Sequence, residues 1–371
     1  MIDRVAKRRL ASRGARRHGE TVFLASLDLL KMNGPIAFVC LSALALLAAT
    51  SPSAAAPAPG ASGLKVVARI AGPDGGWDYI SFDPARRRVY VAHGSSVMAI
   101  DADSGKVTAD FAAGSHLHAV VPVPGTELIV TTNSGDDTAR VLSAADGKLI
   151  ASIPTAKGPD GATFDPSSGL VMVIDGDSGE VTMVDPKAGK AVGSIKVGDS
   201  LEFPAADGKG RLYINVEDKN EIAVVDIAAR KALARYSLGD CHGPTGLALV
   251  AGNRLISACA NGVAKILDAP SGRVIATLKI GERPDSVLYD ETRGFAYIPS
   301  AMTGTLAVIA LSGKDDNTII DTVATQTGAR TGAVDPKTGR IYLPTAQFLP
   351  AVAGHRPAPK PGTFEVLVVG R

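Results

Sequence analysis

Asp78, His118, Asp160, Glu202, Asp285 and Arg330, together with Thr245, stand at one fixed distance before a turn: five residues ahead of Asp83, Val123, Asp165, Asp207, Asp290, Asp335 and Val250 respectively. Six of the seven are ionisable, although their neighbours are mostly Gly, Ala, Val and Leu. If the turns are equivalent, the seven form a ring. Four carboxylates with one imidazole and one guanidinium suit a cation or a small polar ligand. His and carboxylates are also reasonable ligands for a divalent metal, which could activate a bound water. A solvated channel mouth, whose charges pair with one another and with water, is the plain alternative.

Other groups belong to the same neighbourhood. His93, Asn133, Asp175 and Glu217 end the next strand of their units, which runs antiparallel and so returns to the same mouth. Trp77, Tyr79, His116 and His242 flank the ring and could position a substrate. There is no Ser-His-Asp order and no nucleophile elbow, so nucleophilic hydrolysis lacks a warrant. Covalent c-type haem needs a Cys-x-x-Cys-His that the chain lacks. Its single Trp argues against a quinoprotein built on Trp docking motifs, and no glycine cluster forms a phosphate loop. No organic cofactor is identified; a divalent metal remains open.

The elements that must position these residues are repeats. Third strands read SVMAID (Ser96–Asp101), ARVLSA (Ala139–Ala144), EVTMVD (Glu180–Asp185), EIAVVD (Glu221–Asp226), VAKILD (Val263–Asp268), TLAVIA (Thr305–Ala310) and FEVLVV (Phe364–Val369). Six of them start about 42 residues apart, the length of a four-stranded propeller blade. The spacing predicts an all-β, seven-bladed propeller over residues 64–371, with inner strands beginning near Trp77, Leu117, Pro159, Leu201, Pro244, Pro284 and Ala329. The last blade lacks a fourth strand at the C-terminus, and VVARI (Val66–Ile70) has the pattern to supply it. An N-terminal strand would thus close the ring and leave no unpaired seam.

The second strands such as RVYVA (Arg88–Ala92), VID-like third strands and Ser104-Gly105-Lys106-type turns resemble the YncE-like, YVTN-repeat family of bacterial secreted propellers. The resemblance covers nearly all of 64–371. It implies seven blades and an extracytoplasmic location, and it brings no common reaction or catalytic set.

Upstream lies a different composition. Pro35–Ala49 is an uncharged apolar run followed by small residues, which predicts a secretory signal peptide within a leader 1–56, cleavage in Ser51–Ala61 and a linker over 57–63. Residues 1–31 fit either a long basic n-region or a translation start at Met32. Cys40 sits in a poor lipoprotein context. The leader carries eight Lys+Arg and three Asp+Glu, so 31 against 34 remain and the mature chain is slightly acidic. That balance disfavours nucleic acid. No membrane span is expected in the mature protein, which reads as a periplasmic or secreted monomer.

Cys241 and Cys259 are the cysteines that follow the leader, and export makes a disulfide the default reading. Free thiols beside His242 are the competing one. Blade seven carries a proline-rich interruption, Gln347–Gly362, as a lid, a docking arm or a simple loop; His355 and Arg356 could reach the acidic ring from it. The leading function is binding of a small molecule or protein at the funnel mouth. The alternative is a metal-dependent, lactonase- or lyase-like enzyme using the same ring.

Overall fold

The computed structural model describes residues 62–313, 316–350 and 357–371. The leader, its cleavage region, His355 and Arg356 lie outside the described residues. Seven four-stranded antiparallel sheets follow one another along the chain, each ordered from an inner strand outwards. Blade one, for example, runs Ile80–Asp83, Arg88–His93, Ser96–Asp101 and Val107–Ala113. This is the seven-bladed propeller that the repeat predicts.

Blade seven is assembled from both ends of the chain. Its inner three strands are Ala333–Val334, Ile341–Thr345 and Glu365–Gly370, and Lys65–Ala71 forms the fourth. Lys65 faces Gly370 and Ala71 faces Glu365. The backbone of Ser62 also donates to Asp321 of blade six at 3.0 Å, so the seam is tied to two blades.

Alternation within each second and third strand turns apolar side chains to both faces, because both faces meet a neighbouring blade. The result is seven apolar clusters, one in each interface between adjacent blades. Aspartates fix the turns after the inner strands. Asp83 accepts from the Ala85 and Arg86 amides, and Asp335 accepts from the Lys337 amide and the Thr338 hydroxyl. Cys241 and Cys259 are bonded, with Cα atoms 5.4 Å apart, the pairing the sequence predicts. Closing that loop contributes about 3 kcal/mol in the chain-entropy account. No helix among the described residues is long and apolar enough to cross a membrane.

Three inner strands begin later than expected: at Ile80, Leu288 and Ala333 rather than near Trp77, Pro284 and Ala329. The reason lies in where their first amides go. The Tyr79 amide donates to His118 O at 3.0 Å, and that of Asp285 to Arg330 O at 3.1 Å. In the first two, one amide goes sideways to an adjacent blade, and contact with their own blade shrinks to the bonds of Asp78 and Tyr79 with Ala92 and to the Pro284–Ser300 bridge.

Candidate functional site

The inner strands do not enter the sheets evenly, and this decides where the site side chains point. In blade two Leu117 pairs with Asn133 and Val120 with Thr131, so His118 and Ala119 oppose Thr132 alone. Asp160 and Glu202 occupy the same bulge in blades three and four, and Thr245 is the extra residue in blade five. In blade one, Asp78 N and Tyr79 O both bond Ala92. A bulge re-aims one side chain without ending the strand. Repeated around a ring, it turns consecutive blades' polar residues to one place. Buckles between blades hold the bulges: Thr132 Oγ1 donates to Asp160 O (2.6 Å), Thr331 Oγ1 to Asp78 O (2.8 Å), and Asn215 Nδ2 to both Thr245 O and Gly246 O (3.0 Å each).

One side of the mouth is a continuous chain of charged contacts. Arg330 Nε donates to Asp285 Oδ2 at 2.8 Å and Nη2 to Asp78 Oδ1 at 3.3 Å. Asp78 Oδ2 lies 2.6 Å from His118 Nδ1, while His118 Nε2 lies 2.8 Å from Ser134 Oγ. Asp160 Oδ1 approaches the same Nδ1 at 3.5 Å. The other side is poorer in partners. Asp160 Oδ1, Glu202 Oε2 and the Tyr79 hydroxyl are buried and meet no hydrogen-bond partner among the described residues.

The electrostatics follow. Burial raises the Asp78 carboxyl, and the His118 hydrogen bond with the Arg330 charge more than reverses this, leaving it below its ordinary value. Burial pushes Asp160 up to about 6 against the pull of His118, with the Asp78 charge adding to the rise. Glu202 is driven well up by burial, then by Asp160 and Glu217; Asp285 is raised by burial despite Arg330. Burial lowers His118 and Arg330, yet the facing carboxylates leave both above their ordinary values. Four acids and two bases thus share one buried mouth, and on the side poorer in partners burial drives Asp160 and Glu202 towards their neutral forms.

Tyr79 goes deeper than a flanking residue. Its ring meets Phe203, three blades away, at 4.9 Å between centroids, so side chains from nearly opposite blades touch across the axis. Burial, then the charges of Asp285, Asp160, Glu202 and Asp78, raise its hydroxyl well above the ordinary value. Sequence reasoning selected Tyr79 as an aromatic neighbour and missed Phe203, the residue directly after the ring member Glu202. The position after each ring residue was the available signal, and it is otherwise Ala119, Gly161, Gly246, Ser286 or Thr331.

Trp77, His93, His242 and Asp175 do not join the ring. Trp77 packs on Phe364 and Phe348, at 5.1 and 6.3 Å between centroids. His93 is buried against Phe364 at 4.6 Å, and burial lowers its pKa. His242 is exposed beside the disulfide, with Nδ1 3.2 Å from Asn220 Nδ2. Asp175 is buried at the end of its strand, accepts from Thr182 Oγ1 at 2.6 Å, and is pushed up to about 7 chiefly by burial.

The family model described as outer membrane protein assembly factor BamB matches residues 74–275, more than half of the chain. The chain belongs to this family. No curated protein matches the sequence. Among solved structures, a chain of Kuenenia stuttgartiensis hydrazine synthase is similar with a TM-score of 0.63 and 16% identity, covering 72% of this chain and 92% of that one. A chain of the mitotic checkpoint complex is similar with a TM-score of 0.66 and 12% identity, covering 84% and 96%. At these identities the likeness shows the propeller fold alone. The BamB-family match ends at residue 275, and the ring members Asp285 and Arg330 lie beyond it.

Proposed function

We propose that the protein is an exported, non-catalytic binding propeller whose mouth takes a small cationic or polar ligand. The observation that carries this reading is the pair of buried carboxylate oxygens, on Asp160 and Glu202, left without partners at the point where six ionisable side chains converge. Buried polar atoms are costly when unpaired, and a ligand's donors or positive charge relieve that cost. Domain boundaries at 56 and 63, and a periplasmic location, complete the proposal. The disulfide and the apolar run Pro35–Ala49 support export, and the family's description concerns assembly of outer membrane proteins. Within such propellers, the RVYVA-like and VID-like strands favour the YVTN-repeat type.

Thermal-shift measurements against a panel of polyamines, amino acids and other small organic cations test the proposal. A ligand that raises the melting temperature of the wild type and not of Asp160→Asn/Glu202→Gln supports it. Equal shifts in both proteins remove the mouth and move attention to a protein partner at the insertion of blade seven. That second reading draws on the family description and on the Phe348–Pro359 bridge, which folds the insertion back on itself where Gly362 N donates to Asp74 Oδ1 at 2.6 Å.

A further inference from the structure

We infer that Asp78, His118 and Asp160 form a divalent-cation site, so that the first occupant of the mouth is a metal ion. The inference rests on the binding role of the mouth and names its chemistry. One ligand atom from each residue lies within 4.8 Å of the others, and all three residues are buried. Two carboxylates and an imidazole are a donor set for a borderline cation such as Zn²⁺, with open positions for water or a further ligand.

Three observations make this more than a group of acids. Asp160 is 2% exposed, and its Oδ1 points at His118 Nδ1 from 3.5 Å with no hydrogen-bond partner. The other groups are already held from behind. Arg330 fixes Asp78 through Oδ1, which leaves Oδ2 on the His118 side. Ser134 Oγ lies 2.8 Å from His118 Nε2, and when its hydroxyl turns to the His116 carbonyl its oxygen accepts the Nε2–H. Nδ1 is the ring nitrogen that faces both carboxylates; without an ion it shares a proton with Asp78 Oδ2 across 2.6 Å, and a bound cation takes that proton's place. Partners behind the ligands that set the imidazole tautomer and steady a carboxylate are what metal sites require. Finally, the four carboxyl groups of Asp78, Asp160, Glu202 and Asp285 outnumber the two basic side chains Arg330 and His118, and a cation of charge two redresses that ratio.

The test is calorimetric titration of untagged, full-length protein, freed of metal by a chelator and then exchanged into chelator-free buffer, with Zn²⁺ alone. The expected result is saturable binding of one ion per chain, weakened at least tenfold in His118→Gln and in Asp160→Asn. Ser134→Ala, which removes the support behind the imidazole and leaves the three ligands in place, should weaken binding roughly tenfold. Thermal melts of each variant establish folding, and His242→Gln, at an exposed imidazole off the ring, should retain the ion. Absence of saturable binding in the wild type overturns the inference, as does unchanged affinity in both His118→Gln and Asp160→Asn. A mouth-dependent organic ligand with no zinc binding would remove the cation site alone; failure of both measurements would remove the mouth.

Discussion

At the turn end of its inner strand, blade three holds Asp165 among four donors: the amides of Ser167 and Ser168 and both of their hydroxyls. At the mouth end of the same strand, Asp160 keeps an oxygen that meets none. Both residues are buried, and their carboxyls move in opposite directions. Burial raises Asp165, but the serine hydrogen bonds outweigh it and leave that carboxyl below its ordinary value, whereas Asp160 rises to about 6. Blade seven is paired at both ends. Asp335 is held down to about 2 by Arg87, Thr338 and the Lys337 amide against its burial, while Arg330 at the other end serves two carboxylates at once. The turn aspartates are satisfied within the protein, and at the mouth Asp160 and Glu202 are not. Proteins keep such imbalance where binding needs it, at a cost in stability.

Substitutions can break or sharpen that contrast. Arg330→Met strips Asp285 and Asp78 of their counter-ion and should lower the unfolding free energy in urea by about 4 kcal/mol, the largest effect at the mouth. An unchanged midpoint would show that these carboxylates are already neutralised by other means. Asp175 provides a pH test. Its folded value near 7 lies above the ordinary 3.8, so the native state keeps a proton that the unfolded chain releases. Stability should therefore fall as pH rises from about 4 to about 7, by on the order of 4 kcal/mol, and Asp175→Asn should flatten that slope.

At the turn end the signs reverse. Asp165→Ala leaves four donors unserved and should cost about 2–3 kcal/mol in the same urea assay. Asp335, lowered in the folded state, stabilises the protein fully above about pH 4 and loses that contribution as pH falls towards about 2, for on the order of 2 kcal/mol. Acid unfolding of Asp335→Asn should lack this limb. The same limb in both proteins would assign it to another group.

The fold was legible because seven blades repeat one physical problem, and the strand pattern, the Asp turns and the missing fourth strand of blade seven all state the same solution. The ring was legible through that register, since a fixed offset from equivalent turns stays fixed in space. What the offset could not carry was the bulge. Whether Asp78 and Tyr79 continue a ladder or oppose one residue depends on bonds to the next blade, and so the starts at Trp77, Pro284 and Ala329 came too early. Tyr79 against Phe203 was hidden for a related reason, because their contact across the axis joins residues that no local pattern links. His93 and His242 share the mouth end in sequence terms, yet one turns into an aromatic cluster and the other into solvent.

The unfolding free energy of Asp160→Asn/Glu202→Gln, compared with the wild type at pH 7.5 in chelator-containing, ligand-free buffer, tests the central claim most directly. If the mouth carboxylates are maintained for a ligand against their own burial, the double variant should be more stable than the wild type by about 1–2 kcal/mol. A double variant less stable than the wild type would contradict the account, and would place Asp160 and Glu202 with Asp165 and Asp335 as parts of the scaffold.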